Sequence, residues 1–148
     1  MRFNERELAA LANGGVREVQ LQMRGVRGVY KERLVKLAKN FLFYYRLEET
    51  EPLGALLLEQ CTVERDTENS LSFTIVYEDE SGRKYSFLCP SSQERDTWVG
   101  LLSTASCEFL RSRIIQLRED IWKLAGEDPL VRFGISDDPR FHLISGRP

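Results

Sequence analysis

Four cations stand within a ten-residue window of this 148-residue chain: Arg24, Arg27, Lys31 and Arg33. An arginine presents a planar fork of donors that can grip an oxyanion at two points, and a lysine adds a compact point charge. Together they make a site for a multiply charged anion. The wider pattern agrees. Between Arg17 and Arg46 eight bases face two acids, a local net charge of +6, whereas from Leu47 to Glu80 ten acids face one base, Arg65, for −9. The overall charge of −2 therefore hides a bipolar molecule whose basic stretch expects an anionic partner.

Other chemistries find little support. The sequence has no glycine-rich phosphate loop, no Ser/His/Asp or Cys/His set and no metal-ligand spacing, so neither an enzyme nor a cofactor is expected. His142, the single histidine, reads as an ordinary polar side chain. Cys61, Cys89 and Cys107 are odd in number and form no CxxC pair, which fits a reduced, intracellular protein. Nucleic acid is not expected, because the basic patch is short, lacks an RNA-binding aromatic motif and adjoins the acidic segment. The opening MRFNERELAA is too charged for a signal peptide, and no apolar run approaches the ~20 residues of a membrane span. Any membrane contact is expected to be peripheral.

The elements that must position the cations follow from periodicity. Asn4 and Glu7 begin a short helix over residues 5–12, closed by Asn13-Gly14-Gly15. Val19, Leu21 and Met23 then alternate with polar residues as a first strand, and Gly25 and Gly28 bracket a loop carrying Val26, Arg27, Val29 and Tyr30. In a second strand, residues 31–39, Lys31 and Arg33 share parity with the core candidates Val35 and Leu37, so they sit on the inward side at the open end. Arg24 has the opposite parity to Met23. Further strands are expected over 41–45, 55–58, 62–65, 70–77 and 84–88, making seven strands of an antiparallel sandwich or barrel.

Ser91 with Glu94 forms a capping box, with Ser91 a helix cap and not a nucleophile, and an amphipathic helix carrying the core candidate Trp98 follows. Unbroken from Ser92 to Ala125, that helix would be about 50 Å long. Its second apolar stripe, Leu110, Ile114, Leu117, Ile121 and Leu124, is a surface for a partner, for a second copy or for the chain's own tail, which offers Leu130, Phe133, Ile135, Phe141 and Leu143. The expected organisation is an N-terminal helical segment (1–15), a β-rich domain with its capping helix (16–110) and a helix extension with tail (111–148).

Leu21-x-Met23, Lys31-x-Arg33, Leu42-x-Tyr44 and Glu94-x-x-x-Trp98, in this order and spacing over residues 18–110, resemble the pleckstrin homology (PH) domain. The opening Asn4-Glu5-Arg6-x-Leu8-Ala9 and the extended helix are similar to the sesquipedalian endosomal PH-domain adaptors. Arg33-Leu34-Val35-Lys36-Leu37, Glu51-Pro52-x-Gly54-Ala55-Leu56-Leu57-Leu58-Glu59 and Phe133-Gly134-Ile135-Ser136 resemble the family J pleckstrin-homology-domain-containing proteins over essentially the whole chain.

That resemblance implies a mostly β fold with a long C-terminal helix, no enzymatic activity, and a cytoplasmic protein peripheral on endosomal or trans-Golgi membranes in recycling traffic. It implies a phosphoinositide head-group site of Lys31 and Arg33, with Arg24 and Arg27 beside them and the Tyr44 hydroxyl as a donor, although Tyr44 itself reads as core before it reads as a ligand. Leu34 stands where a tryptophan is usual and Leu53 where some tight binders carry a base, which implies modest affinity without selectivity for the most phosphorylated lipids. A trafficking protein or a second copy on the C-terminal helix would supply the rest.

Overall fold

Alternating apolar and polar side chains build a sheet wherever one face can be buried. In the computed structural model, which describes residues 4–15 and 17–132, seven strands follow one another. They are β1 (Arg17–Arg24), β2 (Lys31–Ala38), β3 (Phe41–Tyr45), β4 (Gly54–Leu57), β5 (Cys61–Arg65), β6 (Ser72–Tyr77) and β7 (Lys84–Leu88). All neighbours pair antiparallel in the order β4-β3-β2-β1-β7-β6-β5. The sheet folds over so that β6 approaches β4: the Tyr77 hydroxyl of β6 donates to the Leu57 carbonyl of β4 at 2.8 Å. This is the seven-stranded antiparallel architecture that the alternation predicts.

The concave side collects Leu21, Met23, Val35, Leu37, Leu42, Leu56, Phe73, Ile75 and Phe87 into one core, with the Phe73 and Phe87 rings stacked 4.9 Å apart. Helix α2 (Ser92–Ser103) closes this core with Trp98, Val99 and Leu102. Its start is the predicted cap, the Ser91 hydroxyl accepting from the Glu94 amide at 3.1 Å. The Glu94 carboxylate then receives the Trp98 indole N–H at 3.0 Å and the Arg17 guanidinium at 2.9 and 3.0 Å, which ties α2 to β1.

Helix α1 (Glu5–Asn13) is capped by the Asn4 side chain, which accepts from the Arg6 amide. It covers the convex side of β2 and β3, where Ala12 packs with Ala38, Phe41, Phe43 and Tyr45 in a second core. Both faces of β3 are therefore buried.

The helical periodicity that continues to Ala125 belongs to two helices. After α2 the chain breaks at residues 104–106 before α3 (Cys107–Ala125). At the break the Ser103 hydroxyl donates to the Val99 carbonyl at 2.6 Å, and the Thr104 hydroxyl to the carbonyls of Gly100 and Leu101 at 3.1 and 3.2 Å. Hydroxyls bonded back onto the preceding turn compete with helix propagation. The chain divides there into two compact units, Met1–Ser106 and Cys107–Pro148.

Within the second unit α3 ends at Gly126, whose φ of 72° suits the left-handed cap and whose amide donates to the Trp122 carbonyl at 2.8 Å. Asp128 then reaches back to Arg118 and also receives the Leu130 amide at 3.1 Å, starting the short α4 (Pro129–Arg132). The chain thus turns back toward α3 directly after Gly126. Phe133, Gly134, Ile135, Ser136, Phe141, His142 and Leu143 lie outside the described residues.

Candidate functional site

Antiparallel pairing decides which loops share an end. Because β1 runs against β2 and β2 against β3, the C-terminal ends of β1 and β3 point the same way, and the β1–β7–β6 pairing sends β6 with them. The loops 25–30, 46–53 and 78–83 therefore crowd one end of the sheet. The basic hairpin lies there beside two acidic connections, Glu48, Glu49 and Glu51 on one side and Glu78, Asp79 and Glu80 on the other.

Register places the cations. Lys31 pairs with Met23 and Arg33 with Leu21, both partners being buried on the concave side, so Lys31 and Arg33 are on that side where it opens to solvent. Lys31 is exposed, while Arg33 is half-buried and holds the Glu32 carbonyl at 2.8 Å. Tyr44 lies across β2, paired with Val35 on the same side, and is half-buried. Burial pushes its phenol above the ordinary value, the Tyr85 phenol adds to this, and the Arg33 guanidinium pulls the other way. Tyr44 thus stays a protonated donor near Arg33.

Arg24 is on the other face. It pairs with Ser86 of β7, its guanidinium lies 5.0 Å from the centre of the Tyr30 ring, and with Lys84, Thr74 and Glu64 it lines a convex-side cavity of about 420 Å³. Arg27 is exposed in the loop between the two faces. The structure therefore sets Lys31, Arg33 and Tyr44 on the concave face, the Tyr44 hydroxyl lying over Gly54 of β4, and sets Arg24 on the convex face with Lys84. Lys84 carries no local signal for such a site, because its meeting with Arg24 depends on the non-local β1–β7 pairing. Arg83 is engaged elsewhere, 3.1 Å from Asp79 and stacked 4.8 Å from the centre of the Tyr77 ring.

The position of Tyr44 depends on Gly54. A Cβ at Gly54 would stand 2.2 Å from the Tyr44 hydroxyl oxygen and 2.4 Å from its ring carbon Cζ. Gly54→Ala is expected to displace the ring and cost about 1–3 kcal/mol of stability by overpacking. In a Tyr44→Ala background most of that penalty should vanish, a coupling that a double-mutant cycle in urea reads directly. Strictly additive costs would show that some other atom sets the limit.

Among the described residues no group of three His, Cys, Asp or Glu side chains could hold a metal ion, and no helix is long and apolar enough to cross a membrane. A seven-stranded antiparallel sheet closed at one edge by a capped helix, with a basic β1–β2 hairpin at the open end, defines a PH domain. The PH-domain family model matches residues 17–106. The whole chain aligns with 94% of pleckstrin homology domain-containing family J member 1 of Danio rerio at 48% identity. It aligns more distantly, at 35% identity, with 57% of Sesquipedalian-1 of Mus musculus. The chain belongs to the pleckstrin homology domain-containing J family. Among solved structures, the C-terminal PH domain of pleckstrin in complex with D-myo-Ins(1,2,3,4,5)P5 is 26% identical, with a TM-score of 0.51 over 62% of this chain and 98% of that one.

Proposed function

We propose that the chain is a non-enzymatic PH-domain adaptor that binds phosphoinositide-containing membranes through the open end of its sheet. The observation that carries this reading is the register that turns Lys31 and Arg33 toward the concave side beside Tyr44. A polyphosphate head group needs convergent cations and at least one fork-shaped donor. Arg33 supplies the fork, Lys31 the point charge and the protonated Tyr44 phenol a further donor, with Arg27 and Arg24 contributing attraction from the loop and the far face. The inositol pentakisphosphate complex of the pleckstrin domain supports that ligand class. With the location that the resemblance implies, the protein works in the cytoplasm, peripheral on endosomal or trans-Golgi membranes, in receptor recycling. The six acids in the flanking loops keep the affinity modest.

The test is co-sedimentation with vesicles across a phosphoinositide series. At roughly 1 kcal/mol for each base near an anionic surface, Lys31→Ala/Arg33→Ala should weaken binding about thirtyfold. Equal sedimentation of the variant and the wild type would remove these residues from the site.

A second reading is favoured by α3. Leu110, Ile114, Leu117, Ile121 and Leu124 are 52%, 49%, 44%, 44% and 89% exposed at helical spacing. The stripe would take a trafficking partner or a second copy of the chain. If wild-type protein fails to sediment even at low salt, where attraction is least screened, recruitment through this stripe replaces the lipid reading.

A further inference from the structure

Helix α3 is 19 residues long and buries none of its side chains. Most of a helix's stability comes from packing an apolar face, so this one is incomplete alone. Five of the seven large apolar side chains it exposes, Leu110, Ile114, Leu117, Ile121 and Leu124, recur at intervals of four, three, four and three. That is the heptad spacing of a coiled-coil seam, and it sorts the side chains by shape. Ile114 and Ile121 take the a positions, and Leu110, Leu117 and Leu124 the d positions. A β-branched residue at a with leucine at d favours two parallel strands, whereas the reverse assignment favours larger assemblies. One heptad before Ile114, a third a position falls on Cys107, the exposed first residue of α3.

The return of the chain through α4 leaves this seam open. Asp128 binds Arg118, which follows Leu117 and so stands about 100° round the helix from it. With α4 in place the seam residues keep exposures between 44% and 89%. A seam that repeats the same two shapes is complementary to itself, and closing it between two copies removes on the order of 1,000 Å² from water, the lower bound of a specific interface. The flanking charges permit the pairing. Arg113 at g faces Arg118 at e of the other strand, but Asp128 already neutralises Arg118 within its own chain, both side chains being about nine-tenths buried. We propose that α3 pairs with α3 of a second copy of this chain as a parallel two-stranded coiled coil, with Cys107 beside Cys107. The pairing rests on the reading of this stripe as a docking surface and names its occupant. A parallel pair starts both PH domains from the same end of the coil, so two modest lipid sites act on one membrane together.

Light scattering of the full chain between about 1 and 200 μM should show the mass rising from one chain to two, with a Kd on the order of 10 μM for so short a coil. Ile114→Glu/Ile121→Glu, at two exposed positions, should hold the chain monomeric throughout with an unchanged urea midpoint. A short bismaleimide should join two wild-type chains through Cys107, and Cys107→Ser should lose that cross-link while keeping the doubled mass. A dimer that the reagent does not join at Cys107, or that survives the glutamate variant, overturns the parallel seam. A wild type that is monomeric at every concentration overturns the pairing but not the stripe as a docking surface, which the glutamate variant tests separately through recruitment to membranes.

Discussion

Trp98→Ala is expected to cost about 3–5 kcal/mol of folding stability, the range for removing a large buried aromatic from a packed core. Trp98 has no exposed surface and is the largest of the fully buried side chains. With Val99 and Leu102 it carries α2 into the concave core. Its indole N–H also gives Glu94 a partner at 3.0 Å, so the substitution opens a cavity and strips one donor from a carboxylate that links α2 to Arg17. A domain of this size is stable by about 5–15 kcal/mol in total, so the loss consumes a large share. Urea unfolding should show it as a lower midpoint with an unchanged slope. Trp98→Phe, which refills most of the cavity but cannot donate to Glu94, should recover more than half of the loss. A shift equivalent to less than about 1 kcal/mol for the alanine variant would mean that the core is not organised on this residue.

Much of this architecture is legible along the chain because it is written in local signals. Alternation in residues 17–24 and 72–77 marks strands with one apolar face, Ser91 and Glu94 mark a helix start, and the parity of Lys31 and Arg33 with Val35 and Leu37 puts two cations on the concave side. What each face meets is written nowhere locally. Arg24 has the opposite parity to Met23, but its neighbours Lys84, Thr74 and Glu64 come from β5, β6 and β7, and only the strand order joins them. The helix break is similarly hidden. The apolar spacing runs on past residues 104–106, where the chain leaves the helix and the Ser103 and Thr104 hydroxyls bond back onto the preceding turn, and a period of 3.6 does not register such an interruption. The strand β3 is the clearest case: Phe41 to Tyr45 is apolar throughout, and such a run says that both faces are covered without saying by what.

The cover is α1, and Phe43→Ala tests it. Phe43 has no exposed surface, and on the convex side it packs with Phe41, whose ring centre is 5.9 Å away, and with Ala12, Ala38 and Tyr45. Its removal is expected to cost about 3–5 kcal/mol, comparable with Trp98 although it lies in a separate cluster. The two substitutions should differ in where the structure loosens. Phe43→Ala withdraws the surface on which α1 sits, so amide exchange in residues 5–13 should accelerate well beyond that of β6 and β7, whereas Trp98→Ala should loosen α2 first. Truncation of residues 1–13 supplies the decisive comparison, since without α1 Phe43 no longer sits in a closed core and its replacement should cost much less than in the full chain. An undiminished cost in the truncated protein would show that another part of the chain covers β3, and that α1 is not what makes both faces of this strand interior.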